Sequence, residues 1–381
     1  MSEWHATTLD QLVKLQRGHD LPTGQRRPGK IPVVGAAGPS GLHDTAIVKA
    51  PGVVVGRAGA SMGHATYCDV DFWPLNTSLY VTDFMGNEPR FVYYLLHLID
   101  FSGYNSGAAQ PMLNRNYIKQ IPILLPKPGE QRAIIAVLGA LDDKIVVNKR
   151  IAAMARSLSR AKAVDALSGL SGDVALLGDH VEVTKGLSYR SADLVPGNGN
   201  LVTLKCIDPT GRFKQSGLKP FSGVAKPAQI VQHGDVLVAQ TDLTQRADVL
   251  GRSVRVVQIG EQARLVASLD LAVVRSAGFL TPEYIDALFA SREFREHALS
   301  YANGTTVLHL GARAIPEFTF AVPDEKVVTA VTGVTRSLFE TAVQAEREAA
   351  TLAILRDTLL PQLMSGRLRV KDAEKIVEDA T

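Results

Sequence analysis

A chain of 381 residues is longer than one core ordinarily serves, which suggests two or three domains, and 46% hydrophobic with 21% charged residues is ordinary for a soluble globular protein. The formal net charge of +3 is too small to announce a polyanion partner, and no run of eighteen apolar residues could span a membrane. The start, "MSEWHATTLD", lacks the basic segment and apolar stretch of a signal peptide, so the cytoplasm is the expected compartment.

In chain order, "TTLDQLVKLQRG" runs to Gly18 and is followed by a Pro/Gly-rich loop carrying Gln25, Arg26, Arg27 and Lys30. "GAAGPSG" at 35–41 has the glycines of a phosphate loop but no Lys-Ser/Thr pair after Gly41, so that reading fails on its decisive residue. "APGVVVGRAG" around Gly52 reads as a turn and a buried β-branched strand, and "GRAGASMG" at 56–63 as a loop. That loop serves either as a tight turn beside the core or as a backbone approach to phosphate with Arg57 in contact. "PLNTSLYVTD" is a further strand, and "EPRFVYYLLHLI" a helix opened by proline, whose missing N–H is not needed in a first turn. Cys68 and Cys206 lie in apolar-rich stretches without CxxC spacing and are expected as buried free thiols.

Then comes "GAAQPMLNRNYIKQIPILLPKPGEQ", Gly107 to Gln131, and a second copy, "GTTVLHLGARAIPEFTFAVPDE", from Gly304. Leu113 matches Leu310 and Ile118 matches Ile315, an offset of 197 residues. The earlier segments recur too: "ALLGDHVEVTKG" ends at Gly186, "QHGDVLVAQT" surrounds Gly234, and "VASLDLAVVRS" precedes "TPEYIDALFASREF". The offset is only 168 at Gly18 and Gly186, so the second copy has gained its extra residues in loops.

After each copy the pattern turns helical. Leu138, Leu141, Ile145, Asn148, Ala152 and Ala155 step by three and four residues, as do Leu338, Ala342, Ala345, Ala349, Leu352, Leu355 and Leu359. Two stripes in one chain are most economically buried by pairing the helices antiparallel, with a globular unit at each end of a bar of about 57 Å. The expected divisions are 1–127 and 169–323 for the globular domains, 128–168 and 324–370 for the helices, and 371–381 for a polar tail. Charge does not single out the helices: 128–168 carries seven Lys/Arg against four acids, and 324–381 eight against ten.

This arrangement, with "LLPKPGEQRAIIAVLGALDDKI" at 124–145 and "LRDTLLPQLMSGRLRV" at 355–370, resembles the specificity subunit of a type I restriction-modification system. The resemblance implies an α+β chain of two tandem target-recognition domains separated by long helices in an antiparallel coiled coil, with a pseudo-twofold repeat. It implies that each domain reads half of a bipartite, asymmetric DNA site, and that the helices set the gap and hold two methyltransferase subunits. Restriction subunits, with a motor and a nuclease, would join a cleaving complex. Methylation and cleavage, with S-adenosylmethionine, ATP and Mg, would belong to those partners, and this chain would need no cofactor or metal. The second copy departs from the pattern, since "VPDEKVVTAVTGV" lacks the pair at Glu130 and Gln131, and "VLHLG" replaces "QPMLN".

Base edges are read by donors and acceptors on loops. In the first half these are Gln25, Arg26, Arg27, Lys30 and Arg57, then Gln110, Asn114, Arg115, Asn116 and Lys119. In the second they are Lys185, Tyr189, Arg190, Arg212, Lys214, Gln240, Thr241, Gln245, Arg246, Arg252, His309 and Arg313. No catalytic constellation stands out: Ser61 near His64 has no motif to poise it, and the acids form no metal-spaced group. The alternative is a non-catalytic protein–protein adaptor with a coiled-coil bar and no specific DNA readout.

Overall fold

The computed structural model describes residues 4–107, 110–168, 172–258 and 264–380, so Ala108 and Ala109 of the first motif lie outside the described residues. The chain divides into two compact units, the first made of 1–146 and 350–381, the second of 147–349. Its helices are α1 (Leu9–Leu12), α2 (Pro89–Leu98), α3 (Arg115–Ile118), α4 (Pro128–Ser168), α5 (Pro282–Ala290), α6 (Arg292–Ser300), α7 (Glu325–Met364) and α8 (Val370–Ala380). None is long and apolar enough to cross a membrane.

Unit 1 has strands β1 (His5–Thr8), β2 (Lys14–Arg17), β3 (Ile31–Gly35), β4 (Gly38–His43), β5 (Gly52–Gly56), β6 (Ala65–Cys68), β7 (Trp73–Pro74), β8 (Ser78–Asp83) and β9 (Pro122–Leu125). They pair as β2-β8-β5-β6, β4-β3-β7 and β1-β9. Strand β5 is buried on both faces, with Val53, Val54 and Val55 at most 1% exposed, which is why it reads as an unbroken β-branched run. "GAAGPSG" is the tight β3–β4 hairpin, with Gly35 opposite Gly38 at φ +99°.

Unit 2 has β10 (Val174–Leu176), β11 (Val181–Lys185), β12 (Gly199–Val202), β13 (Lys219–Phe221), β14 (Ile230–Val231), β15 (Val236–Ala239), β16 (Thr241–Asp242), β17 (Ser253–Arg255), β18 (Arg264–Ala267), β19 (Leu271–Ser276), β20 (Ala302–Asn303), β21 (Leu308–Leu310) and β22 (Thr319–Ala321). The orders β11-β19-β15-β17 and β10-β22 repeat those of unit 1, β13-β12-β18-β14 repeats β4-β3-β7 with β14 added at its edge, and β16-β21-β20 is added. Central registers match, since Val54 faces Tyr80 as Leu237 faces Val273, and parallel β3–β7 is mirrored by parallel β12–β18, while the irregularity at Lys14/Leu15 of β2 is absent from β11. The repeat extends to close approaches. A Cβ on Gly18 would lie 2.2 Å from the Leu75 carbonyl oxygen, and one on Gly186 2.0 Å from that of Ser268; Gly107 and Gly304 meet the carbonyls of Gln110 and Val307 at 1.9 and 2.1 Å. No side chain fits at these four positions, so glycine is forced in both copies. Cys68 and Cys206 are free and buried, and burial pushes their thiols up to about 12 and about 11.

Both long helices contribute to both units. In unit 1 the seam positions are large, with Leu138, Leu141, Ile145, Leu352 and Leu359 at most 4% exposed and Leu355 half-buried. In unit 2 they are small: Ala152, Ala155, Ala342 and Ala345 form one cluster with half-buried Leu338, while Ala349 and Asn148 are also buried. Arg156 pairs with Glu346 there, and Ala163 shares a core with Val328 and Val331, so the helices run antiparallel in that unit. Two stretches differ from the sequence reading. "TPEYIDALFASREF" is two helices, because Ser291 is extended and its hydroxyl accepts from Phe294 N to start α6. The C-terminal segment expected as a polar tail is helix α8, which buries Ala373.

Candidate nucleic-acid interface

In unit 1 the loop after β5 and the repeated motif meet. Gly59 N donates to Pro111 O at 2.9 Å, Ala58 bridges Met112, and Leu113 N donates to Arg57 O at 2.8 Å. Arg57 is half-buried, donating to Asn76 O and toward Met112 Sδ, and burial together with nearby Arg17 lowers its pKa. Gln110 stands exposed at the same edge, near Gly59. Other candidates are already engaged. Arg26 donates to Ser40 O, and Arg27 forks onto Asp44 at 2.6 and 3.0 Å, holding that carboxyl at about 2. Asn114 caps α3 by accepting from Asn116 N. Gln25 and Lys30 are exposed, while Arg115, Asn116 and Lys119 line a hollow of about 210 Å³ shared with the Asp10–Lys14 ion pair.

In unit 2 the same meeting is a sheet. Thr241 on β16 pairs with His309 on β21, and Leu310 N donates to Gln240 O at 2.8 Å. These residues border a concavity of about 910 Å³ that also takes in Lys185 and Tyr189. The sequence reading missed Lys205 and Lys219 on its wall. Both sit inside short apolar stretches, "TLKC" and "GLKPF", where a lysine resembles a strand interruption more than a loop contact. Lys185, Lys205 and Lys219 form no ion pair among the described residues, whereas the two acids of the concavity are occupied. Asp270 accepts from Thr241 Oγ1, and Asp242 accepts from Thr244, Val249 and Leu250 N. Burial pushes the Asp242 carboxyl up, and the backbone N–H groups outweigh it, so the net shift is downward.

The remaining candidates lie apart from that concavity. Arg212 pairs with Glu346 on α7 at 2.8 Å, and Lys214 lies 3.8 Å from Asp208. Arg190 is exposed beside Asp193, Arg246 is exposed, and Gln245 donates to Thr305 O. Arg252 is half-buried, with its pKa lowered by burial and by Arg160, and Arg313 pairs with Glu317 at 3.1 Å.

Residues 1–154, which include the loop after β5 and the first copy of the repeated motif, match the family described as "Type I restriction modification DNA specificity domain". A curated relative, the type I restriction enzyme MjaIX specificity subunit of Methanocaldococcus jannaschii, is 21% identical over 321 residues, 75% of this chain and 71% of the relative. The crystal structure of a type I restriction-modification S subunit from M. genitalium superposes with a TM-score of 0.64 at 16% identity, covering 95% of this chain and 96% of that one. That likeness of fold therefore extends through both units.

The specificity-domain match also includes the motif's Glu130 and Gln131. Gln131 is fully buried: its amide nitrogen donates to Asn87 Oδ1 and Pro126 O, and its oxygen accepts from Glu88 N. It ties the exit from β9 to the start of α2. At the matching offset unit 2 has Val328, buried in a core with Leu280, Tyr284 and Val331. The second copy thus lost a polar lock and gained an apolar one. Each unit also clamps a helix electrostatically. In unit 1 Tyr94 on α2 donates to Asp142 Oδ2, Arg90 pairs with Asp143, and Arg356 pairs with Asp142. In unit 2 Glu283 on α5 takes a fork from Arg336 and lies 3.6 Å from Arg255, whose guanidinium stacks 3.7 Å over Phe339.

Proposed function

We propose that this chain is the non-catalytic subunit that reads a bipartite, asymmetric DNA site in a type I restriction-modification complex and holds two adenine methyltransferase subunits. The observation that carries the DNA half of this reading is the twice-built meeting of the repeated motif with the loop after β5 or β15, under a family match to a DNA specificity domain. In unit 2 that meeting borders a concavity with three lysines that form no ion pair among the described residues, suited to phosphates, and with Gln240 and His309 suited to base edges. Support for the scaffold half comes from Val147, Ile151, Met154 and Leu158, spaced by four, three and four residues on α4 and 40–62% exposed beside the alanine seam. Such a stripe suits a helical partner. Those partners would bring S-adenosylmethionine, with ATP and Mg on any restriction subunit, and the complex would work in the cytoplasm.

Mapping methylated adenines in the host genome with and without this gene tests the reading: a two-part motif should vanish with the gene. Binding of the resulting duplex should weaken steeply with salt, and a salt-independent affinity would favour a protein adaptor instead. Replacing residues 1–127 with those of a relative should alter one half-site and leave the other. Inserting four residues into α4, about 6 Å of helix and close to two base-pair steps, should lengthen the tolerated spacer with both half-sites unchanged.

A further inference from the structure

Leu243 is the least expected side chain at the unit 2 concavity. It lines the opening while 74% exposed, and it directly follows Asp242, whose carboxylate is bound to the backbone of residues 244, 249 and 250. The loop is strapped from two further sides. Gln245 donates to Thr305 O, and the Arg295 guanidinium donates to the carbonyls of Ala247 and Leu250. A loop so tightly held could have turned an apolar residue inward, yet this one holds leucine in water, at the rim of a wall bearing Lys185, Lys205 and Lys219.

An apolar tip on a rigid turn beside cationic side chains is the arrangement by which proteins part stacked bases while lysines hold the flanking phosphates. We infer that Leu243 is a wedge that enters the base stack of the half-site held by unit 2. The inference rests on the DNA reading above and adds to it a readout through deformability, because a step that unstacks readily would be favoured at a position no polar group contacts. Unit 1 supplies an internal control. Ala58 and Thr241 occupy matching positions, bridging Met112 and His309, so the residue matching Leu243 is Ala60, too short to part a base step.

The test uses the full chain and the duplex found by methylation mapping, with 2-aminopurine placed at each position in turn. Fluorescence should rise several-fold at one step of the unit 2 half-site and at no step of the other. Leu243→Ala should abolish the rise and weaken binding about tenfold, and Leu243→Phe should preserve the rise. Because the side chain is exposed, both variants should melt like the parent chain. A rise that survives Leu243→Ala, or a bound duplex that brightens nowhere, overturns the wedge. A duplex that the parent chain does not bind overturns the DNA reading and the wedge together.

Discussion

The two units share a frame and differ at the edge. Sheets β2-β8-β5-β6 and β11-β19-β15-β17 keep one register, whereas the motif is held by isolated bridges in unit 1 and by the three-stranded β16-β21-β20 sheet in unit 2. The offset between copies climbs from 168 at Gly18 and Gly186 to 183 at Val54 and Leu237, then 193 at Tyr80 and Val273, and 197 at Leu113 and Leu310. A frame strand buried on both faces cannot slip without repacking every side chain along it, while a loop lengthens at small entropic cost. The edge that carries the repeated motif is therefore the part free to diverge.

The largest expected difference lies in the clamps. Glu283 in unit 2 is 8% exposed and Arg255 6%, so Glu283→Leu takes one of two carboxylates from a buried guanidinium that keeps Asp286 at 3.7 Å and the Thr335 carbonyl, and it should cost about 2–3 kcal/mol in urea melts. In unit 1 Tyr94→Phe removes one hydroxyl from a network that keeps Arg90 and Arg356, and about 1 kcal/mol is expected. The unit 2 clamp should also be sensitive to acid. Burial pushes the Glu283 carboxyl up, but Arg336 and Arg255 outweigh it and the net shift is downward. Its contribution is complete above the ordinary glutamate range and is lost as pH falls through the depressed value. Glu283→Leu should flatten the acid limb of the stability–pH curve, and an unchanged limb would count against the clamp.

The seams differ next. Leu352 in unit 1 is 2% exposed, so Leu352→Ala should open a cavity costing about 2–4 kcal/mol. Ala342 in unit 2 is 1% exposed among other alanines, and Ala342→Leu should cost about 1–3 kcal/mol by overpacking. Equal and small effects would mean that the helices do not pack more closely in unit 2. Gln131→Ala should cost about 2–3 kcal/mol by leaving the Glu88 N–H and Pro126 carbonyl unpaired, against about 1–2 kcal/mol for Val328→Ala.

The frame was largely legible in the sequence because apolar periodicity and forced glycines encode it: β5, both proline-opened helices and the seam positions were all readable. The motif edge was less so. Arg27 has the chemistry of a base reader but forks onto Asp44, seventeen residues away and a partner that sequence cannot pair with it. Lys205 and Lys219 reach the concavity only because β12 and β13 bring their stretches together. Gln131 was visible only as half of a pair that the second copy lacks, and its role as an internal lock depends on Asn87, Glu88 and Pro126. Leu243 had no signal in sequence, since one leucine beside an aspartate looks like core.

Asn148 marks the place on α4 where the leucine seam of unit 1 gives way to the alanine seam of unit 2. It is 3% exposed, and its amide nitrogen has no partner among the described residues. A buried amide in a seam costs stability and is retained in coiled coils where it fixes register. Asn148→Leu removes the unpaired donor but introduces a larger side chain, and the two effects should leave a net gain of about 1 kcal/mol in urea melts. The informative comparison is with specificity. If the asparagine holds register, the stabilised variant should methylate sites with a wider range of spacers. If spacing stays as strict as before, the register is held by the clamps and by the change from leucine to alanine, and Asn148 contributes nothing that apolar packing cannot.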